Sequence, residues 1–280
     1  MPLNLDNVAQ VNKSKKNSQN LKRGRRPISR RDHKYSRGVV AIVAGSKRFP
    51  GAALLTVGGA RRGGAGYVKY LDNNTTATHL VLGAFPDVAP IKNLSGQKID
   101  SLVVGPGAST LRSLPHLIPV VLDSGALSLA QSSPAHRTAK QIIVVTPHEG
   151  ELRALGYSMP ENSVTNEKEL KERRISTAQK IADDLNVICV LKGNHTVIAA
   201  PHLPATINTN GGPELATAGS GDILAGLIGA YLASWKPTDH HEAQRVVSDA
   251  VHLHSAAGAH AARSKKSVVA TDILESLAYC

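Results

Sequence analysis

From residue 38 onward, short β-branched runs alternate with longer helix-like segments, and that alternation admits few folds. Val39–Val43 (VVAIV) ends at Ala44-Gly45-Ser46, after which Pro50 opens an Ala- and Leu-rich stretch reaching Ala60, a strand followed by a helix. Apolar runs at His79–Leu82, Leu102–Val104, Pro119–Leu122, Ile142–Val145 and Val187–Leu191 repeat the pattern and predict five more strands. Strands spaced by helices imply a mostly parallel central sheet covered on both faces. Aromatics are only 3% of the chain, so Val, Ile, Leu and Ala must fill its core. Gly193-Asn194 separates Val187–Lys192 from His195–Ala200 with hairpin spacing, which predicts an antiparallel edge. Asp222–Ser234, Glu242–Ala262 and Thr271–Ala278 carry apolar residues at helical spacing.

The formal charge of +12 is concentrated at one end. Residues 1–37 hold eleven Lys/Arg, from Lys13 to Arg37, against Asp6 and Asp32, whereas the other 243 residues are nearly balanced. The chain therefore divides into a basic tail, 1–30, and an α/β domain, 31–280. The tail is too rich in Asn, Ser and Gln to bury an apolar face and is expected to be disordered up to about residue 26. Its lysines and arginines would attract phosphates, yet stacking residues are not interleaved among them, so nucleic acid is not the expected partner. Cys189 and Cys280 are too few for a disulfide scaffold, and no run approaches a membrane span, so a cytoplasmic protein is expected.

Ala44-Gly45-Ser46, Gly105-Pro106-Gly107, Asp123-Ser124-Gly125 and Thr146-Pro147-His148 all follow predicted strands, at the carboxyl ends where open α/β sheets place ligands. Gly and Pro also punctuate ordinary turns, so this convergence alone does not settle a site. A stronger signal is Ala218-Gly219-Ser220-Gly221-Asp222-Ile223-Leu224-Ala225-Gly226, a small-residue loop entering an apolar helix. Its glycines allow close backbone approach, and the N–H groups and dipole of the helix start form an anion site at Gly219, Ser220 and Gly221. Asp222 would repel a phosphate but suits a base taking a proton from a hydroxyl that attacks phosphorus. It equally suits a first-turn carboxylate complementing the dipole. Neither the dinucleotide fingerprint nor the P-loop pattern occurs, so the phosphate chemistry belongs to another fold.

Ala216–Gly226, Thr146-Pro147-His148-Glu149-Gly150-Glu151, Lys192-Gly193-Asn194-His195-Thr196 and Ala44-Gly45-Ser46 with Phe49-Pro50-Gly51-Ala52-Ala53 together resemble the ADP-dependent (S)-NAD(P)H-hydrate dehydratase family of the ribokinase-like superfamily. The resemblance runs from about His33 to Leu277, and the histidine of Thr-Pro-His distinguishes the dehydratase branch from small-molecule kinases, which more often carry Asn there. It implies a ribokinase-like three-layer α/β/α sandwich and a lyase that repairs hydrated NADH or NADPH, using ADP as co-substrate with Mg²⁺ and releasing AMP and phosphate. It implies Asp222 as the base. Ala44, Gly105, Gly107, His148 and Asp222 would line the hydrate pocket; Lys192, Gly193, Asn194, His195, Thr196 and Gly221 would hold the nucleotide; Glu151 would organise Mg²⁺ through water. A homotetramer or larger homo-oligomer is expected, as is a separate NAD(P)H-hydrate epimerase, because the tail is too short to hold one. A kinase of the same superfamily acting on a hydroxymethylpyrimidine, hydroxyethylthiazole or pyridoxal is the alternative.

The residues carry plainer readings beside these. Lys192 could be a solvated strand-end lysine, Glu151 an exposed first-turn glutamate, and His148 a polar residue opening a helix capped by Thr146 with Pro147 at its first position. Relatives often have a second carboxylate where this chain has Ser124-Gly125, so only Asp123 remains there. His240, His241, His252, His254 and His260 crowd the C-terminal region, but their spacing does not make a ligand set, and they are expected to be surface histidines.

Overall fold

The computed structural model describes residues 24–72, 74–107, 111, 113–131, 141–159 and 166–280; residues 1–23 of the expected tail lie outside them. The described strands form one sheet in the order β3-β2-β1-β4-β5-β6-β7-β8-β9. These are β1 Val39–Val43, β2 Tyr67–Leu71, β3 Ala89–Ile91, β4 Ser101–Val104, β5 Val120–Leu122, β6 Ile143–Val145, β7 Ile188–Leu191, β8 Thr196–Ala200 and β9 Leu203–Asn208. All pairings from β3 to β7 are parallel, and β7–β8 and β8–β9 are antiparallel.

Alternate residues of each strand feed opposite layers. Val40, Ile42, Val103, Val121, Val144 and Val190 pack with helices α1 (Pro50–Arg62), α2 (Thr75–Ala84), α4 (Ser220–Trp235), α5 (His240–Ala262) and α6 (Ala270–Ser276). Ala41, Val43, Leu102, Val104, Leu122, Val145 and Leu191 pack with helix α3 (Glu167–Leu185) and the short helical turns Ser124–Ala130 and Glu149–Leu155. The expected sandwich, mostly parallel with an antiparallel edge, is present.

The sheet differs from the predicted one at its rims. His79–Leu82 is not a strand but the middle of α2, whose start is fixed by Asn74 Oδ1 accepting from Ala77 N at 3.0 Å. Its four-residue apolar run is too short to separate helix from strand by periodicity. Two strands precede β4 unannounced: β3, only three residues long and carrying Pro90, and β2, interrupted by Lys69, which is buried and donates to Gln97 Oε1 at 2.8 Å. Strand β9 turns the edge hairpin into a three-stranded ribbon; its residues are mostly half-exposed, so no apolar run announces it.

Helices α1 and α4 approach backbone to backbone. A Cβ on Gly59 would lie 2.3 Å from the Ile223 carbonyl oxygen, and one on Gly226 would lie 1.9 Å from that of Thr56. This contact fixes the height of the first turn of α4 above the sheet. Beside it, Arg25 donates to the carbonyls of Arg62 (2.6 Å), Cys280 (2.6 Å) and Leu277, tying the start of the described chain to its end.

Gly226→Ala tests the helix contact. Alanine gains about 1 kcal/mol of helix propensity, but the obstacle is a backbone carbonyl that cannot rotate away, and overpacking of this kind costs about 1–3 kcal/mol. A net loss of stability in chemical denaturation is expected; an unchanged or raised midpoint would contradict the close approach.

Candidate active site

Strands β1, β4, β5, β6 and β7 are consecutive neighbours, so the loops leaving their carboxyl ends open side by side. Gly45 N donates to the Pro106 carbonyl at 2.7 Å and Ser46 Oγ to that of Gly107 at 2.9 Å, locking the first two loops together. Tyr70 Oη donates to the Ala44 carbonyl at 2.8 Å. Gly105 has a φ of +119°, and a Cβ there would fall 1.9 Å from the Asp123 carbonyl oxygen, so this turn accepts only glycine and rests directly on the next loop. Ala44, Gly105 and Gly107 thus form one wall.

The small-residue loop supplies the floor. Gly219, at φ +91°, caps α4, and Ser220 begins the helix, so the first-turn N–H groups of Gly221 and Asp222 face the site without intrahelical carbonyls to bind. Ser220 Oγ lies 3.2 Å from Nε2 of His254, a residue of α5 that is only 5% exposed. Burial drives the His254 pKa down to about 4, so the ring behind the loop is neutral near pH 7.

Lys192 joins the floor to the wall. Its Nζ donates to Asp123 Oδ1 at 2.8 Å, lies 3.6 Å from Glu151 Oε2, and would touch a Cβ on Gly221 at 3.2 Å. Asp123 is 1% exposed; it also accepts from Thr146 Oγ1 at 2.6 Å and from Ser124 Oγ at 3.0 Å. Burial alone would lower the Lys192 pKa, but Asp123, Glu151 and Asp222 outweigh it and raise it, so the ammonium stays charged. Asp222 moves the other way. Burial first, then the charges of Asp123 and Glu151, push its pKa up to about 7 against the opposing pull of Lys192. A carboxyl poised near 7 beside an anion loop can accept a proton at neutral pH.

Around the corner, His148, Gly150, Lys192, Gly193, Asn194 and His195 line a cleft of about 410 Å³. Thr146 does not cap the helical turn as expected, its hydroxyl being spent on Asp123; His148 caps it instead. His148 Nδ1 accepts from Gly150 N at 3.0 Å, and its own N–H donates to Glu151 Oε2 at 3.0 Å. His195 Nε2 meets Glu167 Oε1 at 3.1 Å, and Thr196 Oγ1 donates to the Gly193 carbonyl at 3.2 Å. Every expected site residue therefore falls on one connected set of loops.

Two supporting residues escape the motif reading. Arg174 of α3 is 5% exposed, pairs with Glu149, and donates from Nη2 to the carbonyls of Leu191 (3.1 Å) and Lys192 (2.9 Å). Its signal was its spacing, four and seven residues before the buried Ala178 and Ile181 on one helix face. His254 is the second; the expectation of surface histidines fails for it because it too sits on a buried face, among Val251, Leu253 and Ala257. His252 is exposed, and among the described residues no three His, Cys, Asp or Glu side chains converge as a metal ligand set.

A family model described as NAD(P)H-hydrate dehydratase matches residues 40–278. An ADP-dependent (S)-NAD(P)H-hydrate dehydratase of Bacillus subtilis is 30% identical over 240 residues, covering 80% of this chain and 81% of that protein. A bifunctional NAD(P)H-hydrate repair enzyme of Mycobacterium tuberculosis is 37% identical over 221 residues; the match takes 74% of this chain but 43% of that enzyme, so the chain spans about half the length of such relatives. Among solved structures, the Bacillus subtilis ADP/ATP-dependent NAD(P)H-hydrate dehydratase co-crystallized with ATP/Mg²⁺ aligns with a TM-score of 0.72 at 27% identity, over 90% of this chain and 92% of that one. An Enterococcus faecalis protein described as ribokinase-like aligns at 0.72 and 25% identity, over 91% of this chain and 89% of its own. By the match over most of its length, the chain belongs to the NAD(P)H-hydrate dehydratase family.

Proposed function

We propose that the chain restores NADH or NADPH from its (S)-hydrate with ADP, releasing AMP and phosphate. The observation that carries the reading is the meeting of three segments at Lys192: the ammonium donates to Asp123 at 2.8 Å, lies 3.6 Å from Glu151, and sits where a Cβ on Gly221, the residue before Asp222, would fall 3.2 Å from it. A phosphoryl donor, a positive charge and a base of matched pKa would then share one point at the strand ends.

The hydrate carries a hydroxyl on the ring carbon beside the nitrogen. Asp222 takes the hydroxyl proton as the oxygen attacks the β-phosphorus of ADP, and the bond to AMP breaks. The N–H groups of Gly221 and Asp222 face the charge that develops on the phosphoryl oxygens, which is where preorganised donors count most. The ring-nitrogen lone pair then expels phosphate, and loss of a proton from the neighbouring carbon restores the dihydropyridine. Ala44, Gly105, Gly107 and His148 would seat the hydrate; Lys192, Gly193, Asn194, His195 and Thr196 would seat the nucleotide.

Magnesium fits this arrangement only through water. Asp123 accepts on both oxygens from Lys192, Thr146 and Ser124, and Glu151 accepts from His148 N on Oε2, which leaves Glu151 Oε1 to face a metal-bound water. Mg²⁺ arriving with the phosphates would neutralise their charge, with Glu151 holding its hydration shell. Among the described residues no helix is long and apolar enough to cross a membrane. A cytoplasmic homo-oligomer is the form this reading carries with it.

The deciding experiment mixes the protein with NADH hydrate, Mg²⁺ and either ADP or ATP and follows dihydronicotinamide absorbance. Recovery with release of AMP is expected for ADP; no recovery with either donor, from folded protein that binds nucleotide, would favour a vitamin-precursor kinase.

Asp222→Asn should abolish turnover while AMP still binds, and wild-type kcat should rise with pH through about 7, as the base ionises. Stability should respond with the opposite sign. A carboxyl whose folded pKa is raised above 3.8 costs stability as pH climbs from 3.8 through 7. The Asn variant should therefore melt above wild type at pH 8, the gap closing toward pH 4. Equal melting temperatures at pH 8 would remove the case for a buried, strained carboxylate.

Lys192→Ala should weaken AMP binding, but it also strands Asp123, and orphaning a buried partner costs several kcal/mol. The Lys192→Ala, Asp123→Asn double variant separates the two effects. Recovered stability with AMP affinity still lost is expected; recovered affinity would assign Lys192 a purely structural role.

A further inference from the structure

We infer that Arg174 is a positioning residue for the nucleotide half of the site, an inference that rests on the function proposed above. Helix α3 lies on the opposite layer from α4 and contributes none of the motifs, yet besides the exposed Glu167 that meets His195 it sends a buried arginine under the loops. The Nη2 hydrogens bind the carbonyls of Leu191 and Lys192, at the end of β7, and the guanidinium pairs with Glu149, the residue after His148. One rigid planar group therefore spans the β6 and β7 loops, the first carrying His148 and Glu151, the second Lys192 to Thr196. It lines the 410 Å³ cleft with them while remaining 5% exposed.

The glycine at position 193 has a physical reason in this contact. A Cβ there would lie 2.5 Å from Arg174 Nη2 and 2.9 Å from its Cζ, so the turn lies flat on the guanidinium. Without that support the Lys192 carbonyl loses its donor, and the bond from Lys192 N to the Pro147 carbonyl at 2.8 Å would be left to hold the strand end that aims Lys192 toward Asp123 and Gly221. Lysine cannot replace the arrangement, because a single ammonium does not present a planar fork to two carbonyls and a carboxylate. Glu149 is half exposed and adds the negative charge that keeps the buried guanidinium paired.

Calorimetric titration of AMP into wild type, Arg174→Lys and Glu149→Gln, with a melting curve for each, tests the assignment without depending on the dehydration reaction. Arg174→Lys is expected to bind AMP about tenfold more weakly, the scale of one lost charge-assisted hydrogen bond. Glu149→Gln is expected to shift in the same direction by a smaller factor. In turnover, KM for ADP should rise in both while the pH midpoint set by Asp222 stays in place, which a general loosening of the fold would not preserve. Gly193→Ala displaces the guanidinium without removing it and should weaken AMP binding as Arg174→Lys does; it carries the test if the arginine variant fails to fold. Unchanged AMP affinity in folded Arg174→Lys or Gly193→Ala would overturn the positioning role alone. A wild-type protein that binds no AMP would overturn the proposed function and this inference with it.

Discussion

The contact between Lys192 and Asp123, at the carboxyl ends of β5 and β7, organises the site. Asp123 is enclosed, so its charge is tolerable only with a partner and hydrogen bonds, and it has three: the ammonium, Thr146 and Ser124. Those bonds join the β5, β6 and β7 loops. They also leave a charge deficit. Asp123, Glu151 and Asp222 all act on one ammonium, which cannot neutralise three carboxylates. The cost falls on Asp222, which is enclosed: burial first, and then the charges of Asp123 and Glu151, raise its pKa to about 7. Acid–base competence there follows from enclosure, reinforced by the charge of the neighbouring Asp123.

That electrostatic arrangement depends in turn on sterics set some distance away. The first turn of α4 can sit over Lys192 only because α1 and α4 touch through Gly59 and Gly226, and because Gly219 turns the chain into the helix at positive φ. Any side chain at these positions would lift the anion loop from the ammonium. The glycines beside the site thus do two jobs: some open space for a ligand, while others close space between helices so that the ligand's donors arrive at the right height.

The legible parts of the sequence were those where one physical demand dominates. Five of the six predicted strands are strands because a centrally placed parallel strand is buried on both faces and reads as continuous Val and Ile. Strand β2 is hidden by Lys69, and β3 and β9 by want of burial, since strands toward the rims face solvent or carry a satisfied polar group and lose that signature. The site loops were legible as glycine and proline at strand ends, and the family resemblance named their residues. What stayed hidden was support from outside the motifs. Arg174 and His254 are polar residues on apolar helix faces, and a sequence shows the face without showing that it points beneath a loop rather than toward solvent.

The two hidden residues act on opposite halves of the same site by different physics. Arg174 holds backbone carbonyls, so it fixes where the positive end of Lys192 lies. His254 is neutral and holds a hydroxyl, so it steadies the anion loop through Ser220 without adding positive charge. A charged histidine behind Ser220 would favour the ionised form of a carboxylate in the same first turn and work against a raised Asp222 pKa. Enclosure keeps His254 uncharged and also lifts Asp222, so the dry interior that makes the anion loop rigid is the same cause that makes its aspartate basic enough to take a proton.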